Sequence, residues 1–236
     1  MFGVSGTLPR AGRFDMHVPL MRQGLHRILV VAAILWASTP SRVDACINAV
    51  LATDKTVSAV KEAEKSLADG DPAEALRRIR ALLGQAPPRN RRAPAKPICE
   101  FISDADAFEE KTPSARGLTD RAHRIISLAN VRIDGCKGEE RAKLLAQAVE
   151  VLEGLAKASP NDAAKQADLG EALAKIRPRE ARKTLEKLVK RDVVSTPYAY
   201  AALARLRAAD GDEKGRDGAL AKCKLMAKVK SICRLQ

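Results

Sequence analysis

The sequence predicts an all-α protein built from antiparallel helix hairpins, and three observations support this. Only 3% of the 236 residues are aromatic, while 46% are hydrophobic and rich in Ala and Leu, a composition that favours closely packed helices over sheets. Apolar residues recur at spacings of three and four between residues that start or end helices. Short strings of residues also recur at an interval near 34.

The N-terminal region has the pattern of an export signal. Arg22 and Arg27 flank the start of the ten-residue apolar run Ile28–Ala37. That run is shorter than the roughly 20 residues of a membrane-spanning helix and matches the core of a signal peptide, which is about 7–15 residues long. We place cleavage after Ala45, with Met21 as an alternative start. The mature protein is then expected in the periplasm or outside the cell, without a transmembrane span. A buried core helix is the alternative interpretation.

Cys46 would be the first mature residue under this interpretation. The string Val43-Asp44-Ala45-Cys46 resembles a bacterial lipoprotein box, in which the cysteine receives lipid, although Asp44 departs from the usual small uncharged residue. An alternative to a soluble exported protein is therefore an envelope protein that is anchored through a lipid on Cys46.

The remaining cysteines predict disulfides. They are Cys99, Cys136, Cys223 and Cys233. Four cysteines allow three pairings, and disulfides are expected in an oxidising compartment. We favour Cys99 with Cys136 and Cys223 with Cys233. The second bridge requires the last helix to end before Cys233, because ten residues of continuous helix would separate the two cysteines by about 15 Å.

The first predicted hairpin covers residues 46–83 and has clear turn signals. Residues 46–54 are predicted to be a short lead-in, after which helical periodicity begins. Gly70 can adopt the left-handed conformation that ends a helix, and Asp71 can cap the next helix. Pro72 suits the first helical position, and Glu74 completes a capping-box pattern with Asp71. The sequence therefore predicts a helix on either side of a short turn.

A Pro- and Arg-rich segment at 84–113 is predicted to be a linker with a short helix near Phe101 and Phe108. Its run Arg89-Asn90-Arg91-Arg92 could contact an anionic cell envelope, although a solvated linker is the simpler interpretation. The helical repeat domain follows at 114–236. Its helices are predicted at about 114–133, 139–157, 163–175, 179–191, 197–209 and 213–228.

The repeated strings have the period of a helical-repeat protein. Ala-Asp-Gly-Asp occurs at 68–71 and at 209–212, and its two glycines lie 141 residues apart, about four periods of 34–35 residues. Leu169-Gly170 and Leu203-Ala204 are 34 residues apart. A small residue recurs on the second helices, as Ala75, Ala148 and Ala181.

These motifs resemble the tetratricopeptide-repeat family over residues 55–87 and 139–226. Tyr200 stands where that family has an aromatic residue, whereas Arg216 occupies the fourth small position and the only Trp lies in the signal region. The resemblance implies a solenoid of stacked helix hairpins, stapled here by disulfides, whose first helices line a preformed concave surface.

The resemblance also implies a function in protein–protein interaction. It places Glu64, Glu171, Tyr198 and Arg205 on the concave surface as candidate binding residues for a protein or peptide. The net charge of +13 becomes +10 without the first 45 residues, which contain five basic and two acidic residues. Such a charge favours anionic partners such as the envelope surface. A nucleic-acid partner is not expected for an exported chain without aromatic residues near its basic run.

We predict no catalysis, no cofactor and no metal site. His123 is the only histidine after residue 45, so a histidine metal cluster is excluded, and a Ser-His-Asp triad would have to use this residue. The cysteines are not spaced for zinc, and the sequence has no glycine-rich phosphate loop. An enzyme that depends on His123 is the least favoured hypothesis.

Overall fold

A computed structural model describes residues 42–84, 116–133 and 135–235 of the chain, with side chains from Lys55 onward and without that of Arg116. The chain divides into compact units at 1–48 and 49–236, and of the first unit only the helical residues 42–48 are described. Most of the predicted signal region and nearly all of the predicted linker, with Cys99, therefore lie outside the described residues.

Every regular element in the described ranges is helical, which confirms the all-α prediction. The helices are α1 (Arg42–Ala68), α2 (Pro72–Leu82), α3 (Arg116–Arg132), α4 (Gly138–Ala158), α5 (Ala163–Leu173), α6 (Pro178–Lys190), α7 (Pro197–Ala209) and α8 (Glu213–Met226). A 3₁₀ turn, Lys230–Cys233, follows α8. The predicted lead-in at 46–54 is wrong, because α1 already begins at Arg42 and includes Cys46.

Capping side chains set several of the helix starts. Asp71, Asp162, Thr196 and Asp212 each accept a hydrogen bond from a backbone N–H in the first turn of the helix that follows. The capping box is only half formed, because the carboxylate of Glu74 pairs with arginines of its own helix instead of returning to Asp71.

Each described helix from α2 to α6 packs against the next one along the chain, and α7 packs closely on α8. Contacts also join α3 to α5 and α5 to α7. One hydrophobic core runs through these interfaces. The predicted small positions Ala75, Ala148 and Ala181 are all completely buried in it.

Two features join the last helices to the first hairpin. The ammonium of Lys228 lies 3.3 Å from the carboxylate of Asp69, across 159 residues of sequence. Gly70 has a φ of +85°, and a Cβ placed on it would lie 3.6 Å from the hydroxyl of Tyr198 and 3.7 Å from Val229. The turn of the first hairpin therefore contacts the C-terminal end of the unit.

The C-terminal disulfide is present as predicted. Helix α8 ends at Met226, a little earlier than expected, and Cys223 bonds Cys233 with a Cα–Cα distance of 5.9 Å. Cys136 is buried and is also disulfide-bonded.

Candidate binding surface

Four helices, α1, α3, α5 and α7, are joined by polar contacts that we call the ionic seam. At its first position, the guanidinium of Arg121 on α3 donates two hydrogen bonds to the carboxylate of Glu64 on α1, at 2.8 and 2.6 Å. Both side chains are about one-third exposed. Glu64 favours the charged guanidinium and raises the pKa of Arg121.

The most buried ion pair of the seam joins Arg132 on α3 to Glu171 on α5. Two hydrogen bonds of 2.7 Å link the guanidinium to the carboxylate, and the side chains are 9% and 4% exposed. Burial disfavours the charged form of Arg132, but Glu171 and the other nearby acids outweigh it, so the pKa is raised. Such a pair is held together because each charge would be costly to bury alone.

Tyr198 on α7 completes this cluster. Its ring lies 3.4 Å from the guanidinium carbon of Arg132, which is a cation–π contact. The carbonyl oxygen of Leu67 accepts hydrogen bonds from the Tyr198 hydroxyl, at 3.4 Å, and from Arg132, at 3.3 Å. Burial raises the pKa of the phenol. One arginine therefore contacts three helices other than its own.

A second buried acid, Asp168 on α5, pairs with Arg124 on α3. The Asp168 side chain is fully buried, and its Oδ1 has no hydrogen-bond partner among the described residues. Burial raises the pKa of Asp168, and Arg124 offsets this only in part. The Asp168 carboxylate therefore has fewer of its oxygens hydrogen-bonded than the Glu171 carboxylate, both of whose oxygens bond to Arg132.

The structure brings three of the four predicted binding residues into the seam. Glu171 and Tyr198 both contact Arg132, and Glu64 bonds to Arg121. Arg205 is half-buried and forms no ion pair within the described ranges. A ligand that used Glu171 would first have to displace Arg132, so Arg205 is the predicted residue whose charge remains available.

Sequence reasoning missed the basic partners of these acids. Arg121, Arg124 and Arg132 share α3 with an apolar core-facing set, and they are spaced by three and by eight residues. That spacing places them near one side of a helix, and it was the signal available in the sequence. Asp168 lies three residues before Glu171 on α5, a spacing that places the two acids near one side of that helix, and it was also missed.

A shallow groove of about 560 Å³ lies on the outer face of α6, a region that the sequence analysis did not single out. Six of its seven lining side chains are basic. They are Arg179, Arg182, Lys183, Lys187, Lys190 and Arg191, with Glu186 as the one acid.

No group of three or more His, Cys, Asp or Glu side chains among the described residues could hold a metal ion. His123 is half-buried on α3. None of the helices in the described ranges combines the length and the apolar character required to cross a membrane.

Comparison with known proteins adds no assignment: no family model matches the chain, and no curated protein or solved structure matches it.

Proposed function

We propose that this protein is an exported helical-repeat module that binds a protein or peptide partner on a preformed concave surface and catalyses no reaction. The order of helix contacts supports a solenoid of the tetratricopeptide-like kind, since successive helices from α2 onward pack together, α3 contacts α5, and α5 contacts α7. The Cys223–Cys233 disulfide is compatible with an oxidising compartment outside the cytosol.

Close packing within the hairpin of α5 and α6 also supports the repeat. A Cβ on Gly170 would lie only 2.5 Å from Cδ2 of Leu185, so the two helices approach as closely as a glycine permits. Gly170 belongs to the Leu-Gly string on which the resemblance was based. The fully buried Ala181 allows the same approach from the facing helix.

The observation that carries the proposed function is the ionic seam. It cross-links the first helices, in part through buried side chains, so these helices are held in fixed positions before a partner arrives. Preorganisation of this kind lowers the entropy lost on binding. Arg205 follows Tyr198 by seven residues, or two turns of α7, and therefore lies on the same side of that helix.

Site-specific photo-crosslinking tests this function. A photoreactive amino acid replaces Arg205 in the full chain, and the same probe at the exposed Glu150 of α4 serves as the control. We expect a defined crosslinked protein from position 205 on irradiation of producing cells, and none from position 150. Equal background products from both positions would contradict the proposed surface.

The alternative function is a lipid-anchored envelope protein that aids assembly or binds anionic envelope polymers. The cysteine pattern favours it, because Cys136, Cys223 and Cys233 are already disulfide-bonded and one further cysteine suffices to complete the second bridge. Metabolic labelling with a radioactive fatty acid tests it. Label in the wild type that is lost in Cys46→Ala would establish the anchor, and an unlabelled wild type with a free N-terminus at Cys46 would exclude it.

A further inference from the structure

The outer face of α6 carries an unusual concentration of charge without counter-ions. The side chains of five basic residues there form no hydrogen bond or ion pair within the described ranges of the chain. They are Arg179, Lys183, Lys187, Lys190 and Arg191, all exposed to solvent. The opposite face of the same helix is apolar and buries Ala181, Leu185 and Leu188 in the core. These buried contacts fix the orientation of α6 about its axis, so its basic face stays exposed to solvent.

The one acid of the groove does not neutralise these five cations. Glu186 accepts a 2.9 Å hydrogen bond from Arg182 and also lies 3.8 Å from Arg207. Arg182 in turn forms an ion pair with Asp210. The groove thus retains its five positive charges after all its internal pairs are counted.

Four of these cations form a regular row. Residues 179, 183, 187 and 191, the last of them the residue that follows α6, are spaced by four. Each step advances about 6 Å along the helix axis and turns about 40° around it, so the row spans about 18 Å along the axis. An acidic helix with carboxylates at every fourth position has the same interval of about 6 Å. An extended segment with acids at alternate positions repeats at about 6.4–6.8 Å.

We propose that the α6 groove binds an acidic polypeptide segment whose carboxylates repeat at this interval. The inference builds on the proposed role as an interaction module but assigns a partner to the second helix of a hairpin, away from the first helices of the concave surface. Charge complementarity supplies the attraction, and the long Lys and Arg side chains bring their charges to the rim of the groove.

Features of the groove favour a polypeptide over a single-stranded nucleic acid or a lipid bilayer. None of its seven lining residues is aromatic, so it offers nothing on which bases could stack. None of them is apolar either, and the apolar face of α6 is buried, so the helix has no side chain to insert into a bilayer.

Fluorescence anisotropy with the purified full chain tests the proposal. The probe is a labelled helical peptide with Glu at every fourth position, and a scrambled peptide of the same composition is the comparison. We expect the regular peptide to bind more tightly than the scrambled one, with an affinity that falls as salt is added. The double variant Lys183→Glu/Lys187→Glu should weaken binding by roughly tenfold or more, because it reverses two adjacent charges of the row.

A matched variant separates the groove from net charge. Lys143→Glu/Lys157→Glu makes the same change in charge on α4, at two exposed lysines that form no ion pair within the described ranges. Circular dichroism confirms that both variants fold. Equal weakening by the two variants, or equal binding of the two peptides, would overturn the proposal.

Two further arms identify a wrong partner. Vesicles that contain phosphatidylglycerol, or a single-stranded oligonucleotide, would overturn the proposal if either bound more tightly than the peptide and lost binding in the α6 variant. Photo-crosslinking at position 205 serves as the independent readout of the general function. If it succeeds while the α6 variant binds the acidic peptide like the wild type, the groove proposal fails and the interaction module remains.

Discussion

The ionic seam and the outer face of α6 use the same kinds of charged side chain in opposite ways. In the seam, Arg132 and Glu171 are almost wholly buried and make two hydrogen bonds to each other. On α6, Lys183 and Lys187 are exposed and have no counter-ion within the described residues. The first arrangement stabilises contacts between helices. The second leaves exposed positive charges that can attract a partner outside the chain.

Whether a charged side chain is paired, more than its charge, separates the groups that hold helices together from those that remain free to bind a partner. A buried charge must be paired, because an unpaired one would be expelled or neutralised. An exposed cation needs no partner, so a dense unpaired row is not required for folding. The two regions should therefore respond differently to substitution, to pH and to salt.

The largest effect is expected at the centre of the seam. Arg132→Met would leave the carboxylate of Glu171 buried without a counter-ion, and it should lower the free energy of unfolding by about 3–5 kcal/mol. Urea denaturation measures this change. The double variant Arg132→Met/Glu171→Leu should recover a substantial part of the loss, because it removes both charges. A loss below 1 kcal/mol in the single variant, on the order of that for an exposed pair, would contradict the role of this pair.

A smaller effect is expected where α5 meets the buried side of α6. Gly170→Ala would force Leu185 to move within a closely packed interface and should cost about 1–3 kcal/mol of stability. Gly154→Ala on α4 is the control, since a Cβ there has no neighbour within 4 Å. That control should be neutral or stabilising by up to about 1 kcal/mol, because alanine favours helix. If both variants behaved alike in thermal denaturation, the close approach would be excluded.

The free energy of unfolding should depend on pH through Asp168, the acid of the seam whose carboxylate is incompletely hydrogen-bonded. Because burial raises the pKa of Asp168, the folded protein holds the proton to higher pH than the unfolded chain does. The stability that Asp168 contributes is therefore highest below its pKa in the unfolded chain. It falls as the pH rises through its pKa in the folded protein. Unfolding free energies of the wild type and Asp168→Asn, measured across the acid range, should differ most in favour of the wild type at low pH. A difference independent of pH would contradict this assignment.

The smallest effect on stability is expected on the outer face of α6. Lys183→Glu/Lys187→Glu should change the free energy of unfolding by no more than about 0.5 kcal/mol, as is usual for exposed positions. Added salt should stabilise the wild type more than this variant, because it screens the repulsion within the row. Melting temperatures at low and physiological ionic strength provide the measurement. A large destabilisation would mean that these lysines have structural contacts.

Much of the fold could be predicted because its signals are local. The helices α4 to α8 begin and end within one or two residues of their predicted limits, and capping residues such as Asp162 and Asp212 identify their starts. The bond between Cys223 and Cys233 was also accessible, because it depends on where a single helix ends. Helix α1 was predicted too short, since its first turns have no clear periodicity.

The candidate site was harder to predict because it depends on contacts that are distant in sequence. The sequence selected Glu171 and Tyr198 for a binding surface, but only the structure shows that Arg132, 39 residues before Glu171, lies between them. Charge pairing of this kind is a property of the packed helices and cannot be read from one helix. The basic residues of α6 were not singled out from the sequence, because their lack of counter-ions depends on which side chains the neighbouring helices bring near them.

The contact between Gly70 and the region of Tyr198 and Val229 changes how the unit should lose its structure. An open array of hairpins can fray from either end, because each repeat touches only its neighbours. Here the terminal hairpins restrain each other, and the Lys228–Asp69 ion pair reinforces this link. Melting should therefore be a single cooperative event, and loss of the final helices would loosen the first hairpin as well.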